Sequence, residues 1–206
     1  MVLIKNNNKN NIALSPKLKI RDLIKSLILN ISNYKKKEWH RLIYNSHLVS
    51  ENSRSTYSIQ KIYEFLNYQY GDKKNIFIPD YICNESLSLL RNTDAKIIFY
   101  DHSQINNEAI IKELKIYKAD IFIHINYFGK FINLNKNLIK FLKEKNIILI
   151  EDNTHCICSP LITYSDIEIY SPYKLYGLEN GSIVKFNDIN LFNKYKSFEE
   201  KYLINY

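Results

Sequence analysis

Four short apolar runs, over residues 76–79, 96–100, 121–125 and 147–150, are separated by stretches with helical spacing, and this alternation is what most narrows the folds open to the chain. Runs this apolar, broken only by Pro79, Lys96 and His124, fit strands buried on both faces. Between them the apolar spacing predicts helices near 84–91, 107–117 and 134–145. Strands alternating with helices imply an α/β fold, a mostly parallel sheet covered by helices, because a parallel neighbour is reached only through a crossover. Pro79 ends its run because proline cannot donate to a ladder. Two more short strands are expected at 167–170 and 182–186. A helix then starts near Asp188 with Leu191, Phe192, Tyr195 and Phe198 on one side.

Upstream of the alternation, the Asn/Lys-rich residues 6–11 read as a mobile arm, and residues 16–34 carry apolar positions at three- and four-residue spacing, as in an amphipathic helix. Residues 50–56 are mostly small and polar and lead into Ile59, Ile62, Tyr63 and Leu66, a helical stripe that ends near Gly71. The first turn of such a helix offers free backbone N–H groups and the positive end of its dipole, which suit a phosphate. Taken alone, Ser55 and Arg54 fit a helix cap and a solvated charge equally well.

The run 147–150 delivers Glu151-Asp152-Asn153-Thr154-His155, and acids directly after a buried strand stand at the carboxyl edge of the sheet, where open α/β folds bind ligands. Some twenty residues on, Lys174 lies in the loop Ser171-Pro172-Tyr173-Lys174, followed by Gly177 and Gly181. A carboxylate and an amine at one pocket are what pyridoxal 5′-phosphate (PLP) needs: the amine holds the aldehyde, and the carboxylate keeps the pyridine nitrogen protonated. A lone lysine in a lysine-rich chain is otherwise a surface charge, Asp152 alone a helix cap, and His155 a hydrogen-bonded core histidine.

Other chemistries find less support. The formal charge of +8 comes from lysines scattered over faces and loops, so a nucleic-acid partner is not expected. No Gly-x-Ser-x-Gly elbow, P-loop or Rossmann glycine motif occurs. The cluster His155-Cys156-Ile157-Cys158 has no second Cys/His group to complete a zinc site, and no metal is expected. The three cysteines, Cys83, Cys156 and Cys158, form an odd, sparse set, and no run approaches the roughly 20 apolar residues of a bilayer span. A cytoplasmic protein without membrane attachment is the expectation.

The order of these motifs resembles the DegT-type sugar aminotransferase family, PLP enzymes of fold type I, over residues 53–186. Ser53-Arg54-Ser55-Thr56 stands where the family has a small-residue turn for the cofactor phosphate, with serine in place of the usual glycine. Ile78-Pro79-Asp80-Tyr81-Ile82-Cys83 resembles the family's Pro-x-Tyr-x-Cys segment, and Cys83 takes the place of a ring that stacks on PLP. His124-Ile125-Asn126-Tyr127-Phe128-Gly129 matches its strand-plus-glycine segment, and Glu151-Asp152-Asn153-Thr154-His155 its Glu-Asp-x-x-His/Gln motif. Ser171-Pro172-Tyr173-Lys174, then Glu179-Asn180-Gly181-Ser182, matches the Ser-x-x-Lys motif and its glycine turn, with Gly-Gly reduced to Gly-Ser.

The resemblance implies the large domain of a PLP-dependent transferase. Lys174 would be the lysine joined to PLP, Asp152 the partner of the pyridinium nitrogen, His155 a neighbour of the ring hydroxyl, and Ser171, Arg54 and Ser55 phosphate ligands. It also implies an amino group moved, from glutamate, to a keto-sugar expected to be nucleotide-linked, in amino-sugar synthesis for a surface glycan, by a homodimer. The expected division is an N-terminal arm and helix over 1–49, a PLP-binding large domain over 50–190, and the start of a C-terminal segment over 191–206. Members are usually longer and carry a smaller C-terminal domain, which this chain is expected to lack. The alternative expectation is a catalytically silent large-domain fragment that binds a partner.

Overall fold

All of the apolar runs become strands, and they lie side by side in one sheet. The computed structural model describes residues 3–5, 11–13, 44, 46–71, 73–158, 163–176 and 178–204. The helix expected over 16–34 lies outside them. Within the expected arm, β1 (Leu3–Lys5) and β2 (Asn11–Ala13) pair antiparallel, with Ile4 opposite Ile12.

The main sheet has seven strands: β3 (Val49–Asn52), β4 (Asn75–Pro79), β5 (Lys96–Tyr100), β6 (Ile121–Ile125), β7 (Ile148–Asp152), β8 (Ile167–Tyr170) and β9 (Ser182–Phe186). Their order across the sheet is β3-β9-β8-β7-β6-β4-β5. β5, β4, β6, β7 and β8 pair parallel, while β9 runs antiparallel to both β8 and β3. The mostly parallel sheet that the alternation implied is therefore present. β3 is an addition, a short polar edge strand that residues 49–52 form by pairing with β9.

Helices α1 (Ser55–Tyr70) and α5 (Ile189–Ile204) cover one face, and α2 (Ala109–Ile116) and α3 (Lys136–Glu144) the other. The α1 stripe Ile59, Ile62, Tyr63, Phe65 and Leu66 is buried against Ile78, Ile123, Ile150 and Ile169. Gly71 closes the helix at φ +60°, and its N–H bonds to the Asn67 carbonyl. Tyr195 and Phe198 of α5 lie 5.2 and 5.7 Å from the Phe65 ring. Glu199 accepts from Lys61 at 2.7 Å and from Ser50 at 2.6 Å, which joins α5 to α1 and β3. On the opposite face Ile110, Leu114, Leu138 and Leu142 pack over Phe77, Phe122 and Leu149. No helix among the described residues is long and apolar enough to cross a membrane.

Two expectations change. Residues 84–91 are not an α-helix but two short 3₁₀ turns, Asn84–Leu87 and Leu90–Asn92. Their buried side chains, Leu87 and Leu90, are three apart, a spacing that a three-residue turn satisfies as well as an α-helix does. The fourth run extends two residues further than its apolar stretch, because Glu151 and Asp152 continue the ladder opposite His124 and Ile125. Strand alternation then sends Glu151 and Asp152 to opposite faces.

The chain leaves β4 toward β5 on one side and leaves β6 toward β7 on the other, although β4 and β6 are neighbours. Such a reversal opens a crevice at the carboxyl edge, since the two connections diverge there.

Candidate functional site

A cleft of about 280 Å³ lies at that edge, lined by segments that follow four parallel strands. Cys83 comes after β4, Tyr127 and Phe128 after β6, Asp152 and Thr154 from the end of β7, and Lys174 from the segment after β8. His155, Tyr81, Ile82, Ser86 and Ile125 complete the lining. Lys174 stands not in an open loop but in a one-turn helix, α4 (Pro172–Tyr176). Proline at its first position needs no N–H partner, and the Lys174 N–H bonds to the Ser171 carbonyl at 3.0 Å.

Asp152 is buried, and its Oδ1 accepts the Thr154 backbone N–H at 2.9 Å. Lys174 Nζ reaches the Thr154 hydroxyl at 3.5 Å. Carboxylate and amine, twenty-two residues apart in the chain, thus share one turn as an intermediary. His155 is held from the other side: its Nδ1 accepts the Phe128 N–H at 3.4 Å, and its ring stacks on Phe128 with centroids 6.0 Å apart. Nδ1 as acceptor leaves the proton on Nε2. Burial lowers the basicity of His155 and the nearby Lys174 ammonium lowers it further, against an opposing pull from Asp152. The ring is therefore a neutral donor at neutral pH.

Beneath the cleft the loops after β6 and β7 are locked together. Asn126 Nδ2 donates to Asn153 Oδ1 at 2.6 Å, its Oδ1 accepts the Ile132 N–H at 2.9 Å, and the Asn126 N–H bonds to the Asp152 carbonyl at 3.0 Å. Buried His124 touches the same Asn126 Oδ1 at 3.1 Å, and burial depresses its pKa to about 4. Such a floor fixes first-contact side chains before any ligand arrives.

Arg54, Ser55 and Ser171 do not line the cleft but stand beside it on the same edge. Ser171 follows β8, and the Gly181 N–H at the entry to β9 bonds to the Ser53 carbonyl at 2.6 Å. Ser182 links the two: its hydroxyl meets Ser58 Oγ of α1 at 2.9 Å and donates to the Tyr170 carbonyl at 3.0 Å. The α1 N-terminus has no side-chain cap. Arg54 is exposed and faces Glu85 at 3.7 Å. The Ser171 hydroxyl is buried with no hydrogen-bond partner among the described residues.

Cys83 is exposed at the cleft, Cys156 is buried with its Sγ 3.7 Å from the Asn126 carbonyl, and Cys158 is exposed. Among the described residues no group of three or more His, Cys, Asp or Glu side chains is placed to hold a metal.

Sequence reasoning gave no role to Thr154, Tyr127 or Tyr81. All three lie inside segments singled out for other residues: Tyr127 donates its hydroxyl to the Tyr81 carbonyl, and the two rings lie 5.3 Å apart. Position within a motif was the available signal for each of them.

No protein-family model matches the chain, and no curated protein does. Solved structures do. The chain superposes on Helicobacter pylori PseC, an aminotransferase involved in the biosynthesis of pseudoaminic acid, with a TM-score of 0.68 at 16% identity, covering 88% of this chain and 53% of that one. An aminotransferase from Psychrobacter cryohalolentis gives 0.66 at 15% identity, over 90% and 52%. GDP-4-keto-6-deoxy-D-mannose-3-dehydratase from E. coli, with bound hydrated PLP, gives 0.67 at 15% identity, over 87% and 52%. The chain has the large-domain fold of these PLP enzymes, and it spans about half the length of the solved proteins it matches.

Proposed function

We propose that this chain binds PLP at the carboxyl edge and serves the transfer of an amino group, from glutamate, to a keto-sugar that is nucleotide-linked. The observation that carries the reading is the meeting of Lys174 and Asp152, from the ends of two adjacent strands, in one cleft around Thr154. The residues fit the cofactor on a second count. A buried hydroxyl without a partner is costly, and a phosphate oxygen would satisfy Ser171 Oγ.

When bound, PLP supplies an electron sink for the carbon that loses its proton. Lys174 Nζ would hold the aldehyde carbon and, once free, carry the proton at the substrate carbon. Asp152 would keep the ring nitrogen protonated, and His155 Nε2–H would donate to the ring hydroxyl oxygen. Ser171, Ser55 and Arg54 would hold the phosphate, and Cys83 would pack against the ring. Residues 50–190 would form the PLP-binding unit, with 1–49 as an N-terminal arm and helix and 191–206 as the start of a C-terminal segment. A homodimer acting in the cytoplasm, in amino-sugar synthesis, completes the reading.

Titrating the protein with PLP and recording its absorbance tests this directly. A visible band is expected in the parent and not in Lys174→Ala, with both proteins folded by circular dichroism. A folded parent without the band would leave the partner-binding, non-catalytic reading in its place.

A further inference from the structure

Thr154 is the residue through which the carboxylate and the amine of the cleft are connected. Its side chain is buried, it lines the cleft, its N–H is held by Asp152 Oδ1 at 2.9 Å, and its hydroxyl lies 3.5 Å from Lys174 Nζ. A β-branched side chain is stiff at χ1, so a backbone fixed by Asp152 also fixes the direction of the hydroxyl. Lysine, by contrast, has a long flexible stem whose rotamers must be ordered before its nitrogen can attack anything. Three links in series, Asp152 to the Thr154 backbone, Thr154 backbone to its hydroxyl, and hydroxyl to Nζ, therefore set how far the amine stands from the carboxylate. That spacing matters because the two atoms of PLP they address, the ring nitrogen and the aldehyde carbon, sit across one six-membered ring.

We propose that Thr154 is a positioning residue that presents Lys174 Nζ to the aldehyde of PLP. This rests on the reading of Lys174 as the cofactor-holding lysine. In the step concerned Lys174 Nζ would bond to the aldehyde carbon in place of its oxygen, which would leave as water with two protons from the nitrogen. The Thr154 hydroxyl steers the approach of Nζ and is not consumed. It makes no contact that would hold the phosphate, so its loss should slow attachment without weakening the initial encounter with PLP.

The test is stopped-flow absorbance of PLP attachment across a range of PLP concentrations, using the parent, Thr154→Val, Thr154→Ser and Lys174→Ala. Valine keeps the shape and the backbone N–H to Asp152 but deletes the hydroxyl, and serine restores it. In Thr154→Val the saturating rate should fall about two- to tenfold, the factor that one hydrogen bond makes in a rate, while the half-saturating concentration and the melting temperature stay at parent values. Thr154→Ser should recover most of the rate. A Thr154→Val rate equal to that of the parent overturns the proposal and leaves the PLP reading standing. A fall that moves rate, half-saturation and melting temperature together assigns Thr154 to the fold alone and also overturns it. A parent without a band, or a Lys174→Ala protein that keeps it, overturns both.

Discussion

The two halves of the sheet are built differently. From β5 to β7 both faces are largely apolar, with Phe77, Phe122 and Leu149 under α2 and α3 and Ile78, Ile123 and Ile150 under α1. Across β8 and β9 the α1 side continues this way, through Ile167, Ile169, Val184 and Phe186, while the apolar part of the reverse side shrinks to Tyr170 and Ile183 packed with Tyr44. The reverse side carries a buried charge network. Glu168 accepts from Lys185 at 2.8 Å, from Asn187 at 2.9 Å and from the Tyr170 hydroxyl, and Asn153 reaches it from the cleft floor. Parallel strands held by apolar packing tolerate many residues of similar shape. In the other half a one-residue slip would turn Glu168 and Lys185 into the isoleucine layer, so the network penalises every register but one. The amine of the cleft and the Ser171 hydroxyl both issue from this second half, immediately after β8, whereas Asp152 stands on the boundary strand.

Cutting the network tests that contrast with the largest effect. Lys185→Met leaves the Glu168 charge buried without its cation and should lower stability by about 3–5 kcal/mol, as breaking one side of a buried pair does. Phe122→Ala in the parallel half should cost a similar amount, about 3–5 kcal/mol, through loss of a buried ring. A second substitution separates the two. Adding Glu168→Leu to Lys185→Met should recover much of the loss, since well-packed apolar residues replace buried pairs at little cost. Denaturant unfolding of the single and double variants measures this. A Lys185→Met cost no greater than that of a surface lysine would mean the network contributes nothing to the second half.

Glu151 sharpens the comparison, because it lies where the halves meet. Burial, and then the neighbouring Glu168 charge, raise its pKa to about 7. A carboxyl whose pKa is higher folded than unfolded holds its proton more tightly in the native state. Its contribution is complete below the unfolded value of 4.5 and is lost as pH rises through about 7. The Glu151→Gln variant removes this dependence. Relative to it, the parent should lose up to about 3 kcal/mol between pH 5 and 8, the size that linkage gives for such a shift. Parallel stability curves for the two proteins over that range would place the Glu151 carboxyl outside the network.

What the chain discloses before folding follows the same division. Strands 96–100, 121–125, 167–170 and 182–186 are legible to the residue, since short stretches dominated by β-branched and aromatic residues and too brief for a helical period have few alternatives. β3 is not, because Val49-Ser50-Glu51-Asn52 owes its extended form to pairing with β9 rather than to its own pattern. The sequence places Lys174 in a loop, whereas it lies in a helical turn, as a five-residue helix is too short to show periodicity. The carboxyl-edge position of Asp152 and the amine of Lys174 point to one pocket by themselves, and motif order adds Cys83 and His155, all four of which meet in one cleft. The resemblance groups Ser171, Arg54 and Ser55 with them as phosphate ligands, and these three stand beside the cleft on the same edge. Thr154 carries no signal of its own in the sequence, because its contacts are to Asp152 and to a residue twenty positions away.

The smallest test concerns the turn by which the parallel half reaches the site. Phe128 at φ +56° and Gly129 at φ +74° form that turn, and a Cβ built on Gly129 would meet the His155 carbonyl oxygen at 3.3 Å. Gly71, which closes α1 at φ +60°, has nothing within 4 Å of such a Cβ. Both positions strain an L-residue through their positive φ, so Gly71→Ala should cost about 1 kcal/mol from conformation alone. Gly129→Ala adds a backbone contact that cannot swing away, and its cost should reach about 2 kcal/mol. The added part should also appear in His155, whose Nδ1 depends on the Phe128 N–H. Displacing the turn would free that nitrogen, and the His155 imidazole signals in a nuclear magnetic resonance titration should then shift toward the other tautomer in Gly129→Ala but not in Gly71→Ala. Equal costs with unchanged His155 signals would show that the turn presses on nothing, and that the parallel half supplies the cleft with a wall but not with the orientation of its histidine.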